Sequence, residues 1–309
     1  MPPGPPRRLV VSLIALGLVI SACGGGDGER ALPEDPAVTV AAFGFSESRI
    51  LAELYAQAME ARDIPVERAL DLASREVVEP ALEQGVVDFV PEYAGTALEF
   101  LNKGAGQATA DSDRTYQFLR QALSFRGITT LDRAPAQNQN ALAVTRTTAR
   151  TYGLTRVSDL IPVAPRLSFG GPPECPERRF CLPGLMASYG LTFRTFLPLD
   201  AAGPLTVGAL EGAEVDVALL FTTSPVVAVK DLLLLADDRQ LQPAENVVPV
   251  VRNDVLARYG ERMRQAVNAV SAALTTDELV QLNKAVDLDG LGPVEVARAW
   301  LGARGLGRA

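Results

Sequence analysis

Residues 74–98 read SREVVEPALEQGVVDFVPEYAGTAL. Ser74 is placed to cap a helix, Glu76 falls in its first turn, and Gly85 suits the left-handed residue just past its end. Val86–Val90 is a short apolar run interrupted by Asp88, which Pro91 is expected to stop. That is the pattern of a buried strand in a covered sheet. Tyr93 and Thr96 follow on the turn leaving the strand. In open α/β sheets ligands sit beyond the carboxyl ends of strands, so these two side chains are candidates to line a ligand site.

The unit occurs twice. ALEQGVVDFV (81–90) aligns without a gap to ALEGAEVDVA (209–218), identical at Ala, Leu, Glu, Val and Asp. The same offset of 128 residues carries Asp88 to Asp216, Tyr93 to Phe221 and Thr96 to Ser224. Two equivalent strand ends, each with an aromatic and a hydroxyl, suggest two similar lobes facing one cleft. The alternative is a chance likeness of two helix–strand units, because Ala-Leu-Glu is common in helices. Asp88 and Asp216, lying within apolar strands, are expected to bond nearby backbone amides rather than a ligand.

A chain of 309 residues with 48% hydrophobic and 21% charged residues is globular and long enough for two lobes. Its 29 basic and 37 acidic residues leave a net charge of −8 with no basic stripe, which disfavours nucleic acid as a partner. The chain contains no histidine. That excludes Ser-His-Asp and Cys-His catalysis and removes the commonest metal ligand, so neither a metal nor a cofactor is expected. A hydrolase or transferase would have to use a carboxylate base, with Asp88 and Glu245 as the candidates near the cleft.

Residues 1–22 read as a signal peptide. Arg7 and Arg8 form its charged region, and Leu9–Ile20 an apolar stretch too short to span a bilayer. Ile20-Ser21-Ala22-Cys23 resembles a bacterial lipobox, in which Cys23 would carry the lipid and become the mature N-terminus. The alternative is an ordinary secretory leader with an incidental cysteine. A flexible tether, 23–36, comes next. Cys175 and Cys181 lie in GGPPECPERRFCLPG (170–184). Export places them in an oxidising compartment, where a pair across a short Pro-rich loop is expected to form a disulfide; a metal site is the weaker alternative.

Elsewhere strands are expected at Val38–Ala42, Val66–Leu72, Asn140–Thr145, Leu167–Gly170, Thr195–Leu199, Val215–Leu220 and Val247–Val251. A helix capped by Ser46 follows the Phe43–Phe45 loop, and Ser158 is expected to cap a short helix through Leu160. Three helices close the chain. Alternating strands and helices give an α/β class with mostly parallel sheets.

The residues at this point carry a resemblance. Phe45–Ser48, Ser74–Val77, Pro91–Thr96, Ser158–Leu160, Tyr189–Leu191, Val215–Asp216, Phe221–Thr223 and Pro249–Arg252 are collinear with motifs of the substrate-binding proteins of osmoprotectant ABC importers. The likeness runs from about Val38 to Leu301, and it implies a two-lobed clamshell of the type-two periplasmic-binding-protein fold. Residues 37–141 plus 246–309 would form one lobe and 142–245 the other, closing on a ligand and hinged near Asn140–Thr145 and Pro243–Val248. It further implies a monomeric lipoprotein on the outer face of the cytoplasmic membrane, capturing glycine betaine, choline or a similar solute for a permease and its ATPase. Alternatives are a more apolar solute, or a ligand-sensing lipoprotein.

Such proteins cage a quaternary ammonium with tyrosines, because a cation without donors binds best to π faces. Tyr93 matches one cage position. Phe221, Val90, Asn140 and Glu245 stand where the family has tyrosine, Phe43 where it has Lys or Gln, and Ser224 where it has Asp. The site implied by this comparison comprises Phe43, Ser46, Ser74, Tyr93, Thr96, Asn140, Phe221, Thr223, Ser224 and Glu245. A carboxylate at Glu245 would favour a net cation such as choline over glycine betaine.

Overall fold

A computed structural model of the chain describes Met1 and residues 36–308. Apart from Met1 and Pro36, the expected signal peptide, Cys23 and the expected tether lie outside the described residues. The strands are β1 (Val38–Ala41), β2 (Val66–Ala69), β3 (Phe89–Tyr93), β4 (Ile128–Thr130), β5 (Asn140–Thr145), β6 (Ser168–Gly171), β7 (Thr195–Pro198), β8 (Val217–Phe221), β9 (Leu232–Leu235) and β10 (Val247–Arg252).

They form two five-stranded sheets, ordered β2-β1-β3-β10-β4 and β7-β6-β8-β5-β9. In each, the first three strands pair in parallel, and the fourth runs antiparallel to both neighbours. Four strands of five therefore point the same way, and the sheets correspond position by position. The repeat lies at the middle of this correspondence: β3 and β8 are the central strands. Just before each, Asp88 Oδ2 accepts from the Thr39 amide at 3.0 Å and Asp216 Oδ2 from the Ser168 amide at 2.8 Å. The backbone role expected for these aspartates is what they perform.

Helix Arg75–Gln84 shows why the unit folds locally. Val78 and Leu82 are buried on one face, and Gly85 ends the helix at φ 75°, its amide bonding back to the Leu82 carbonyl. Pro91 does not stop the strand, contrary to expectation. It lies opposite Pro249 across the β3–β10 pair, and the Pro249 carbonyl accepts from Leu131 on the far side. The two prolines thus face each other where an antiparallel ladder needs no donor, and β3 runs on to Tyr93. Ser46 does not cap its helix, Ser46–Glu60, whose N-cap is Phe45; Ser48 Oγ instead accepts from the Phe43 amide at 2.9 Å. Ser158 does not cap either: the 3-10 turn Val157–Leu160 starts from Arg156, whose amide Asp159 accepts.

One core joins the first sheet to helix Ser46–Glu60 and to the C-terminal helices Asn253–Ala273, Thr276–Asp287 and Pro293–Gly302; Ile50, Met263, Leu279 and Trp300 all belong to it. The second sheet packs on both faces. Val217 and Leu219 join the cluster that holds the disulfide, whereas Ala218 and Leu220 join the other, as strand alternation requires. Residues 131–139 and 236–246 connect the sheets, and they meet in an antiparallel bridge between Gln137 and Asn246. Asn140–Thr145 is itself strand β5, so the first of these connections precedes it.

Candidate functional site

A cleft of about 1210 Å³ opens between elements of both sheets, at the ends of β3 and β8. Phe43, Ser74, Tyr93, Thr96, Asn140, Phe221 and Glu245 all line it. Ser46, Thr223 and Ser224 are not among its lining residues; Ser46 bonds Asp287 and Thr223 is buried.

Phe45 is the aromatic that the sequence reading passed over. Its ring lies 6.2 Å from Phe43, 6.1 Å from Tyr93 and 5.3 Å from Phe221, centroid to centroid. The four rings make one continuous wall, with Phe45 joining the first-sheet Tyr93 to the second-sheet Phe221. The signal available was Phe-Gly-Phe at 43–45, with two rings on the same turn, although nothing local said that both would face the cleft. Phe43 also carries the Arg75 guanidinium 5.2 Å above its ring.

The polar groups are held by specific partners. Arg75 makes a buried two-pronged ion pair with Glu92, at 2.9 and 2.7 Å. Glu245 closes the start of helix Ala94–Leu101: its two oxygens accept from the Gly95 and Thr96 amides, each at 2.9 Å. Burial pushes the Glu245 carboxyl up to about 8, against these amides and the Arg75 charge. Asn140 Nδ2 donates to the Phe180 carbonyl at 3.2 Å. Tyr93 Oη donates to Glu47 at 2.6 Å, and Asn138, another cleft residue absent from the sequence-derived set, donates to the same oxygen at 2.7 Å. Asp88 lies outside the lining set and is bonded to backbone.

At the mouth, the Cys175–Cys181 disulfide, with Cα atoms 5.3 Å apart, closes the loop that faces the first sheet's elements. Arg178 on that loop pairs with Glu76 at 2.8 Å, and Arg179 donates to the Gly104 carbonyl at 3.3 Å. The site therefore offers an aromatic wall for an apolar or cationic group, side-chain amides at its edge, and guanidinium groups at its rim. Among the described residues no cluster of His, Cys, Asp and Glu could hold a metal ion, and no helix is long and apolar enough to cross a membrane.

Comparison with known proteins agrees with this geometry. Residues 36–303 match the family described as the substrate binding domain of ABC-type glycine betaine transport system. The chain is 28% identical over 269 residues to the glycine betaine-binding protein YehZ of Escherichia coli, covering 84% of this chain and 88% of that one. It is 26% identical over 278 residues to the ergothioneine transport permease/ergothioneine binding protein EgtU of Helicobacter pylori, covering 90% of this chain and 49% of that longer protein. Among solved structures, a glycine betaine/carnitine/choline ABC transporter protein superposes with a TM-score of 0.68 at 27% identity, over 87% of this chain and 99% of that one. Apo YehZ superposes with a TM-score of 0.62 at 28% identity, over 88% of this chain and 100% of that one. The chain belongs to the family of substrate-binding domains of ABC-type glycine betaine transport systems, extracytoplasmic proteins that deliver a small molecule to a membrane permease.

Proposed function

We propose that this protein captures a small quaternary-ammonium osmoprotectant, of the glycine betaine or choline kind, against the wall formed by Phe43, Phe45, Tyr93 and Phe221. The observation that carries the reading is the continuity of those four rings across the cleft, with centroid separations of 5.3–6.2 Å. A methylated ammonium has no donor to offer. Water solvates it weakly, and each ring face adds roughly 0.5–2 kcal/mol according to how dry the site is. The remaining sequence-derived contacts on the cleft, Ser74, Thr96, Asn140 and Glu245, would meet the polar end of the ligand.

Residues 37–141 with 246–309 would move as one lobe and 142–245 as the other, about the paired connections at Gln137 and Asn246. Lipidation at Cys23 would hold the monomer at the outer face of the cytoplasmic membrane beside its permease and ATPase. Its task is binding and not turnover, in keeping with a family of transport substrate-binding domains.

A second reading, a larger and more apolar solute, is favoured by the phenylalanines at three of the four ring positions and by a cleft larger than one betaine fills. Calorimetric titration of the delipidated protein against choline, glycine betaine, carnitine, proline betaine and ergothioneine tests both readings. Saturable binding of a simple betaine or choline is the expected result. Binding of none of these quaternary-ammonium compounds at millimolar concentration would refute the first reading, and saturable binding of an uncharged apolar solute in their place would establish the second.

A further inference from the structure

Behind the aromatic wall lies a buried carboxylate whose four partners are all neutral. Glu47, in the first turn of helix Ser46–Glu60, is 3% exposed and does not line the cleft. Tyr93 Oη and Asn138 Nδ2 donate to its Oε1 at 2.6 and 2.7 Å. Thr223 Oγ1 and Asn283 Nδ2 donate to its Oε2, each at 2.5 Å. The Asn283 nitrogen also donates to the Thr223 carbonyl at 3.3 Å, which fixes the orientation of that amide. Each carboxylate oxygen thus has one amide donor and one hydroxyl donor, all short.

That is the surrounding of an ionised carboxylate, and the start of a helix favours the negative charge as well. Burial works the other way and raises its pKa. A buried anion held only by neutral donors is expensive to keep without a countercharge. Of its four partners, Tyr93 and Asn138 also line the cleft.

We propose that Glu47 sets the charge preference of the cleft: as an anion bonded to the Tyr93 hydroxyl, it makes that ring a stronger partner for a cation that cannot hydrogen-bond, and the ligand supplies the missing positive charge. A phenol that donates to a carboxylate gains electron density in its ring, and the ring face is what attracts the cation. The field of the carboxylate itself is little screened in so buried a place. This rests on the reading that the cleft takes a quaternary ammonium, and it adds that Glu47, a positioning residue outside the wall, selects for the charge and not only for the shape.

The test compares choline with its neutral carbon isostere, 3,3-dimethyl-1-butanol, which has the same shape without the charge. Both are titrated calorimetrically into the wild type, Glu47→Gln and Tyr93→Phe, and the quantity read is the ratio of the two dissociation constants. A merely structural defect weakens both compounds alike and leaves the ratio in place. The wild type should prefer choline; Glu47→Gln should cut that preference about tenfold, and Tyr93→Phe by less, because the carboxylate remains. A Glu47→Gln variant that keeps the wild-type ratio overturns the proposal. Should that variant not fold, Tyr93→Phe decides, and an unchanged ratio there overturns it equally. A wild type that binds neither compound, or both equally, overturns this inference; the quaternary-ammonium reading falls with it only if the wild type also binds none of the betaines, so titration of the wild type tells the two failures apart.

Discussion

β3 and β8 hold the same central place in their sheets and are tied to a neighbouring strand by the same aspartate, yet the segments after them differ. After Tyr93 a helix begins at once, and Glu245 takes the amides of Gly95 and Thr96. After Phe221 the chain turns, and Thr223 reaches Glu47. Beneath β3 lie Arg75, Glu79 and Glu92, a buried charged group; the repeat puts Gly203, Val207 and Leu220 at those positions. The scaffold is held by what repeats. The asymmetry sits where a ligand would meet the two lobes: three of the four rings and the buried Arg75–Glu92 pair on one side, Phe221 with Asn140 and the disulfide-loop Arg178 and Arg179 on the other.

The largest effect is expected from breaking the charged group. Glu92→Leu, which imitates the second lobe, leaves Arg75 buried without its partner and should cost about 3–5 kcal/mol in urea unfolding. The double variant Arg75→Met with Glu92→Leu should cost less than Glu92→Leu alone. If the double costs more, the ion pair stabilises the first lobe in its own right.

Next comes the pH dependence of the Glu245 cap. Its folded pKa, about 8, lies above its ordinary 4.5, so the folded state holds the proton more tightly than the unfolded chain. Stability from this group is complete below about pH 4.5 and is lost as pH rises towards about 8. Thermal melts across that window should show Tm falling in the wild type and falling less steeply in Glu245→Gln. Glu79, raised by burial and by the nearby Glu92 carboxylate, adds the same sign of change to both proteins, so the difference in slope isolates Glu245.

The aspartates sharpen the comparison further. Asp216 serves both the amide and the hydroxyl of Ser168 at 2.7–2.8 Å, whereas Asp88 serves the Thr39 amide and a longer, partly exposed ion pair with Arg252 at 3.7 Å. Replacing either with alanine should cost about 1–3 kcal/mol by chemical denaturation, with Asp216→Ala the larger loss. The smallest effect concerns the matched left-handed residues that end the two helices, Gly85 at φ 75° and Ala213 at φ 57°. Ala213→Gly should raise stability by about 0.5–1 kcal/mol. Gly85→Ala should lower it by a similar amount, because φ 75° strains any residue with a Cβ, while the Arg252 guanidinium 2.9 Å away can swing aside.

How much of this the sequence disclosed depends on the range of each interaction. The repeat, the two aspartates, the Gly85 helix end and the Cys175–Cys181 bridge are local or periodic, and they could be read directly. Tyr93 and Phe221 were legible because the offset of 128 paired them. The Glu47 cluster was not: its donors come from positions 93, 138, 223 and 283, which only the fold brings together. β4, three residues long, and β9, four leucine-rich residues, carry too little period to separate them from loop or helix. Pro91 misled because its missing donor matters only on the side where a ladder bond would have formed.

The central claim, that one ligand is held between repeat-related strand ends, is tested most directly by titrating the tightest-binding ammonium compound into Tyr93→Ala and Phe221→Ala beside the wild type. The account predicts that each variant loses most of the affinity although the two side chains belong to different sheets. A variant that binds as tightly as the wild type, whichever of the two it is, would contradict it and place the ligand on one lobe alone.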